Sequence, residues 1–354
     1  MSKEKRPTIV DIANSLQISP ASVSRALRNA GKVGVDLRKK ILIEAKRINY
    51  QPNFAAKALR NQSSQLIGLI IPNFFSFQID ELVRKIQYYV QKKHYGIILG
   101  VTEWETENEI EQLEFMAEKR VEGIIVKSKG MHQTIDKIQE LSMDGMRVVS
   151  LLDKVDIPNV SSVLVNNAMG GYLATKHLLE KGHRRILYVT YQQTQSNEGN
   201  DSHFSRERYF GMLRAYAEMN IKRPDNLVFY DKSTNQNHDT EAHFKEYISR
   251  HTDFTAIFAY DDQIAAGVSR AIRSHGYSIP EDFSLVGFDD SIFVNKWSNP
   301  PITVIKQPDD EIACEAVRLL VNDNNNELPP AHSVVINPEL IKRESVASIV
   351  VKQP

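Results

Sequence analysis

The chain has 354 residues, 42% hydrophobic and 25% charged, with 44 Lys/Arg and 44 Asp/Glu. At roughly 150 residues per domain, that length holds about two to three domains. The composition excludes a disordered, collagen-like or coiled-coil chain, and no apolar run approaches the ~18–20 residues that span a bilayer.

No apolar segment follows the charged start Met1 to Arg6, so no secretory leader is expected. The single cysteine, Cys314, allows no internal disulfide and fits a reducing, cytoplasmic setting. It lies in an apolar-periodic stretch, Ile312 to Leu320, and is expected as a buried core thiol. Charge is unevenly placed. Residues 1–62 hold 13 Lys/Arg against 4 Asp/Glu, a net of +9, and the remainder carries −9. A basic head of this size suits nucleic acid or another anionic surface.

The head reads as three short helices. Thr8 can cap a helix beginning at Ile9, with Asp11 near its positive end. Ile9, Ile12, Ala13 and Leu16 share one face. After Gln17-Ile18, Ser19 is a second N-cap candidate, and Pro20 stands at the first helical position, where its missing N–H costs nothing. Val23, Ala26 and Leu27 form the inner stripe of the second helix; Ala21, Ser22, Ser24 and Arg25 lie mostly opposite. A third helix over about Val35–Ile48 would add Leu37, Ile41, Ala45 and Ile48 to the core. Two helices joined by a tight turn make a helix-turn-helix, whose second helix enters the DNA major groove by its N-terminal residues.

The segments Thr8-Ile-Val-Asp-Ile-Ala13, Ser19-Pro-Ala-Ser-Val-Ser-Arg-Ala-Leu27 and Tyr50-Gln-Pro-Asn53 closely resemble the lactose-repressor (LacI/GalR) family of bacterial transcription regulators. Gln17 stands where that family usually has Gly. The resemblance implies DNA contacts from Thr8, Ser19, Pro20, Ala21, Ser22, Ser24 and Arg25. Asn53 to Arg60 reads as a two-turn hinge helix capped by Asn53, followed by linker Asn61 to Ser64. A helix this short is marginal alone. The resemblance implies that it folds on DNA, with Asn53 and Ala56 at the contact and Leu59 wedged into the minor groove. Such a wedge unstacks a base step and kinks the duplex. Pairing with a symmetry mate implies a homodimer on a near-palindromic operator.

The acidic body alternates strand-like runs with helical stretches. Strands are expected at Leu66–Ile71, Gly96–Val101, Gly123–Val126, Val148–Leu152, Val163–Val165, Ile186–Thr190, Leu227–Tyr230, Ala256–Tyr260 and Leu285–Phe288. Helical periodicity falls at Ile79–Lys93, Glu105–Lys119, Met169–Lys181, Arg206–Met219 and Asp261–His275. That alternation argues doubly wound parallel sheets, too many strands for one, with ligands at the carboxyl ends of the strands. Ile67 to Pro72, Glu122 to Ile125, His177 to Ile186, Asp261 to Gly267 and Leu285 to Asp290 extend the resemblance over nearly the whole chain. Two positions depart from the family pattern: Asn73-Phe-Phe-Ser-Phe-Gln78 replaces the usual Asn-Pro-Phe, and Asn166 replaces an Asp.

The implied fold is an N-terminal all-α helix-turn-helix domain plus an α/β periplasmic-binding-protein-like core of two doubly wound parallel-sheet lobes. The expected organisation is a DNA-binding domain at 1–52, hinge and linker at 53–64, core at 65–345 and tail at 346–354. Three crossings near residues 165, 290 and 325 would give an N-lobe of about 65–164 plus 291–324 and a C-lobe of about 165–290 plus 325–345. The tail is too short for a coiled coil, so dimers without tail-mediated tetramers are expected.

Asp153, Asp261 and Asp289 each follow a strand, where a carboxylate can accept from ligand hydroxyls or cap a helix. Arg208 can donate a fork of hydrogen bonds. The resemblance places Arg208, Asp261, Asp289 and Asp153 in an effector site. Phe74, Phe75 and Phe77 could stack on a sugar face or serve the core, His177 and His183 are expected to be structural, and the role of Trp297 stays open. No hydrolase, metalloprotease or nucleotide-binding motif is present, and the ten histidines show no metal-ligand spacing with cysteine. No enzyme activity, cofactor or metal is therefore expected. The leading expectation is a homodimeric repressor of carbohydrate-utilisation genes, controlled by a sugar or sugar phosphate bound between the lobes. The alternatives are a global regulator with a phosphoprotein co-repressor and a sugar-binding protein without DNA function.

Overall fold

The computed structural model describes residues 7–27, 33–51, 63–74, 77–128, 130–192, 201–233, 239–321 and 331–349. The chain divides into two compact units, residues 1–64 and 65–354.

The small unit contains α1 (Ile9–Leu16), α2 (Pro20–Leu27) and α3 (Val35–Arg47). Their apolar stripes meet in a core of Ile12, Ala13, Val23, Ala26, Ile41 and Ala45. Thr8 caps α1, and its N–H and hydroxyl both donate to the Asp11 carboxylate, at 2.6 and 2.7 Å. Gln17 ends α1 in the left-handed region, φ 53°. A side chain there costs on the order of 1 kcal/mol relative to glycine. Glu44 on α3 accepts from Ser15 and, at 2.7 Å, from both Nε and Nη2 of Arg47. These bonds hold the Glu44 carboxyl down to about 2. The Ser15 bond ties α1 to α3, while Arg38 Nε donates to the Ala26 carbonyl at 3.3 Å and ties α3 to α2.

The large unit is built on two six-stranded sheets. The first contains β1 (Leu66–Ile71), β2 (Gly96–Val101), β3 (Gly123–Val126), β4 (Arg147–Leu151), β5 (Val160–Val165) and β11 (Ser333–Ile336), in the order β11-β5-β4-β3-β1-β2. The second contains β6 (Ile186–Tyr191), β7 (Val228–Asp231), β8 (Ala256–Ala259), β9 (Ser284–Asp289), β10 (Thr303–Lys306) and β12 (Glu339–Ile341), in the order β12-β10-β9-β8-β6-β7. Among the described residues every pairing is parallel except β12 on β10. Central strands such as Leu66–Ile71 are buried along nearly their whole length, so they read as unbroken apolar runs rather than alternation.

Helices α4 (Phe77–Lys92), α5 (Thr106–Glu118), α6 (His132–Met143) and α12 (Asp309–Leu320) cover the first sheet. Helices α7 (Asn167–Glu180), α8 (Asp201–Glu218), α9 (Thr240–Ile248), α10 (Asp262–Ser274) and α11 (Ile292–Trp297) belong to the second lobe. None among the described residues is long and apolar enough to cross a membrane.

The chain passes between lobes at 165–167, at 306–309 and at 336–339. The first place agrees with the sequence reading; the crossings expected near 290 and 325 do not. After β9 the chain makes one more parallel unit, through α11 into β10 beside β9. Residues 291–306 therefore lie in the C-lobe. Helix α12 and β11, up to residue 336, lie in the N-lobe. Cys314 also departs from expectation: it sits on α12 half-buried rather than in the core.

Helices α7 and α8 touch backbone to backbone. A Cβ on Gly171 would lie 1.9 Å from the Arg208 carbonyl oxygen, and one on Gly211 would lie 1.9 Å from that of Ala168. Gly171→Ala is expected to force the helices apart and destabilise the protein by about 2–3 kcal/mol. A melting temperature within a degree of the parent would contradict this packing. His177 and His183 are buried, and His183 bridges the Thr255 hydroxyl and the Ala347 carbonyl at 2.9 and 3.1 Å. Burial pushes both imidazoles below their ordinary range, which suits a structural role.

Candidate functional site

In the small unit, the start of α2 is built to face outward. Ser19 accepts from Ser22 N–H at 3.2 Å and so caps the helix. Ser19, Pro20, Ala21 and Arg25 are exposed, Ser22 and Ser24 are half-buried, and Val23 and Ala26 point into the core. The small Ala21 and the Arg25 guanidinium thus stand at the surface of this helix start. Thr8 is exposed at the start of α1. Asn53, Ala56 and Leu59 lie outside the described residues.

In the large unit, a cleft opens between the lobes at the carboxyl ends of both sheets. Pro72, Asn73, Trp104, Lys127 and Leu152 come from the first lobe; Asn167, Tyr191, Phe204, Arg208, Asp261, Asp262 and Asp289 come from the second; Gln307 comes from a crossing. Arg208 is its best-anchored group. It lies within α8 rather than at its start, and is only 4% exposed. Its Nε donates to Asn167 Oδ1 at 2.9 Å and its Nη1 donates to the Tyr260 carbonyl. Its guanidinium packs 3.5 Å from the Phe288 ring centroid and 4.4 Å from that of Tyr260. The close α7–α8 contact thus sets where Arg208 sits.

Asp261 has two roles. Its Oδ1 caps α10 by accepting from Ile264 N–H at 2.8 Å, and its Oδ2 accepts from Tyr191 Oη at 3.0 Å. Burial first, then the Asp289 charge, pushes its carboxyl up to about 7. Asp262 beside it is buried and also raised, for the same two reasons in the same order. Burial raises the Tyr191 phenol, with Asp261 adding to the effect, so that phenol stays a donor.

Asp289 ends β9 with φ 97°, and Asp290 follows at φ 71°. Backbone there favours glycine and costs about 1–3 kcal/mol for other residues. Gln307 Nε2 donates to Asp289 Oδ1 at 2.6 Å, and Arg343 pairs with Asp290 at 2.6 Å. Both hold the kink.

Asp153 is placed differently from expectation. It is 2% exposed, does not line the cleft, and forms a buried ion pair with Lys127. Lys127 is what reaches the cleft, with its ammonium 4.8 Å from the Phe204 ring centroid and 5.6 Å from that of Trp104. Phe74 is half exposed and is not on the cleft wall. Phe75 lies outside the described residues; Phe77 opens α4, and its side chain is not described. The sequence reading missed Lys127, Trp104, Asn167, Tyr191, Phe204, Asp262 and Gln307. Lys127 and Tyr191 stand at strand ends, so the rule that found Asp289 could have found them too.

Asp309 begins α12 just past the second crossing. Burial, then Asp289 and Glu81, push it up to about 8, against the pull of Lys306 and Lys85. A carboxyl raised in the folded state lowers stability increasingly as pH climbs from its unfolded value, ~3.9, toward its folded one. Asp309→Asn is therefore expected to melt higher than the parent at pH 9 and equally at pH 4. Equal melting curves at both would contradict this.

The profile of bacterial regulatory proteins of the lacI family matches residues 8–53, and that of the periplasmic binding protein-like domain matches residues 175–346. The transcriptional regulator RegA of Clostridium saccharobutylicum is 30% identical, over 96% of this chain and 98% of its own. A periplasmic binding protein/LacI regulator from Alkaliphilus metalliredigens, solved with D-xylulofuranose, is 25% identical, with a TM-score of 0.67 over 80% of this chain and all of its own. The lac repressor dimer bound to operator and an anti-inducer shares the fold, with a TM-score of 0.80 at 22% identity over 97% of this chain and all of its own. With an exposed reading helix, a two-lobed core and a full-length relative at this identity, the chain belongs to the lacI family of bacterial regulatory proteins.

Proposed function

We infer that this DNA-binding transcription regulator is a repressor whose grip on its operator is set by a sugar bound in the inter-lobe cleft. The observation behind this is Arg208. A guanidinium 4% exposed, with two of its nitrogens hydrogen-bonded and two aromatic rings packed close to it, still lines an open cleft. Burying a charge is costly unless it is paired or hydrogen-bonded. Here that charge is rigidly positioned and walled by aromatic rings and carboxylates, as a site for a small polyhydroxyl ligand requires. A ligand touching both walls binds one lobe arrangement better than another and so shifts the population.

Two copies reading a near-palindrome would each place α2 in a major groove. The proposed hinge residues Asn53, Ala56 and Leu59 would add a minor-groove wedge. The proposed setting is the cytoplasm, with genes of carbohydrate use as targets. The relative crystallised with D-xylulofuranose supports the ligand class.

The test begins with a thermal-shift screen of sugars, followed by titration of the hit. Arg208→Ala should weaken its binding roughly 10–150-fold, the loss expected for a buried charged hydrogen bond. The operator complex of that variant should then ignore the sugar in gel-shift assays. Unchanged ligand affinity in a folded Arg208→Ala protein would remove the cleft from the reading.

A further inference from the structure

One contact crosses the cleft from lobe to lobe. Phe204, on the first turn of α8 in the C-lobe, brings its ring centroid to 4.8 Å from the ammonium of Lys127, which follows β3 in the N-lobe. The Trp104 ring, also from the N-lobe, lies 5.6 Å from the same ammonium. An ammonium beside aromatic rings at this range is attracted to them. All three side chains line the cleft. The bridge is anchored at both ends. Lys127 is held by its buried pair with Asp153. The first turn of α8 is pinned to β6: Ser205 Oγ lies 2.7 Å from Thr190 Oγ1, and Tyr188 Oη donates to the Ser205 carbonyl at 3.1 Å. Phe204 itself is only 8% exposed.

Trp104 carries a second, independent mark. Glu103 and Trp104 take consecutive left-handed conformations, with φ 52° and 61°. Strain of this kind in residues other than glycine clusters at ligand clamps and switch segments. Here it turns the chain beyond β2, and the Glu103 N–H donates to the Pro72 carbonyl at 2.6 Å to hold that turn.

Phe204 and Arg208 stand four residues apart on α8, so they project from one face. One helical turn advances about 5.4 Å, the width of a single sugar ring. On that side, a ligand anchored at Arg208 meets the bridge after one ring. The whole cavity measures about 120 Å³, against ~300–1,000 Å³ for pockets that take drug-sized ligands. A second ring has no room elsewhere in it.

Building on the cleft as the effector site, we propose that the effector is a single monosaccharide and that Phe204 is the residue that excludes longer saccharides. The rings of Phe204 and Trp104 wall one end of the site, while Arg208 and Gln307 offer donors to hydroxyls. A disaccharide has to push Phe204 off Lys127 before it can enter.

The probes are xylose, ribose, arabinose, glucose, galactose, mannose and fructose, titrated calorimetrically into the full-length chain. The tightest is then compared with disaccharides that carry it at either end. At least one monosaccharide is expected to bind, with its disaccharides weaker by ~100-fold or more. Phe204→Ala should shrink that ratio by ~10-fold or more, through tighter disaccharide binding. Phe204→Val keeps more buried surface and is titrated beside it, with melting curves to show that each is folded. A readout without ligand accompanies these. Trp104 and Trp297 are the two tryptophans, so in a Trp297→Phe background the emission reports Trp104 alone. Phe204→Ala in that background should shift it to the red, as water reaches the indole. Unchanged emission overturns the proposal, as does an unchanged ratio in the folded Phe204 variants. A disaccharide that binds the unmodified protein as tightly as its component also overturns it, and so does the failure of every monosaccharide to bind. If a disaccharide binds and loses affinity in Arg208→Ala, the cleft reading stands while the one-ring limit falls. A monosaccharide that binds Arg208→Ala as tightly as the unmodified protein overturns both.

Discussion

Operator affinity is expected to fall by ~10³–10⁵-fold as salt rises from 50 to 200 mM. The cause is counterion release. The head carries 13 Lys/Arg against 4 Asp/Glu, and a dimer doubles that. If about 6–10 phosphates are neutralised, a slope of that size follows. The body's opposite −9 does not cancel it, because screening confines each charge to roughly 8–10 Å near physiological salt. A protein neutral overall should thus behave on DNA like a strongly basic one. Non-specific DNA should show a similar slope, since phosphates carry no sequence. The difference between operator and random DNA should come from the exposed start of α2, where Pro20, Ala21 and Arg25 can meet base edges. A filter-binding series over four salt concentrations measures both slopes. A flat operator response would contradict the basic-head reading outright.

The small unit was legible because its signals are local. Caps, an apolar stripe and a proline at the first position of α2 concern residues a few apart, and the observed α1 and α2 begin where those signals put them. Buried parallel strands were also plain as apolar runs: β1, β2 and β3 have the residue limits read from the sequence. Strands β11 and β12 were missed for a physical reason. They are four and three residues long and half exposed at sheet edges, and the apolar run of β11 is only Val334-Val335-Ile336. Losing β10, β11 and β12 also displaced two crossings, since a crossing is defined by which sheet the next strand joins. That choice is non-local.

The cleft shows the same division. Asp261, Asp289 and Arg208 were found because each stands where the strand-end rule or the family pattern points. Asp153 obeys the same rule and still misses the wall, because Lys127, from the neighbouring strand, lies over it. Sequence spacing places a side chain at a sheet end. Only packing decides whether it is the surface or the support.

That distinction leads to the Lys127 substitution. Lys127→Met should destabilise the protein by about 3–5 kcal/mol, because it strands a buried carboxylate. Both partners are nearly sealed, at 5% and 2% exposed. Asp153 then has to stay charged without its counter-ion or take up a proton. Its folded pKa would rise above the unfolded ~3.9, so the penalty is small at pH 4 and grows as pH rises. Methionine keeps the length and the contact with Trp104 and Phe204, so lost packing cannot imitate the effect. The double variant Lys127→Met with Asp153→Leu removes both charges. It should recover most of the stability, since replacing a whole buried pair by apolar groups is often neutral or favourable. Urea midpoints of the two single variants and the double variant at pH 4.5 and 8 give the coupling. A loss under about 1 kcal/mol for Lys127→Met at pH 8 would mean that water reaches the pair, as at an exposed ion pair. The role of Asp153 as hidden support for the cleft would then fall, and it would return to the list of residues able to touch ligand directly.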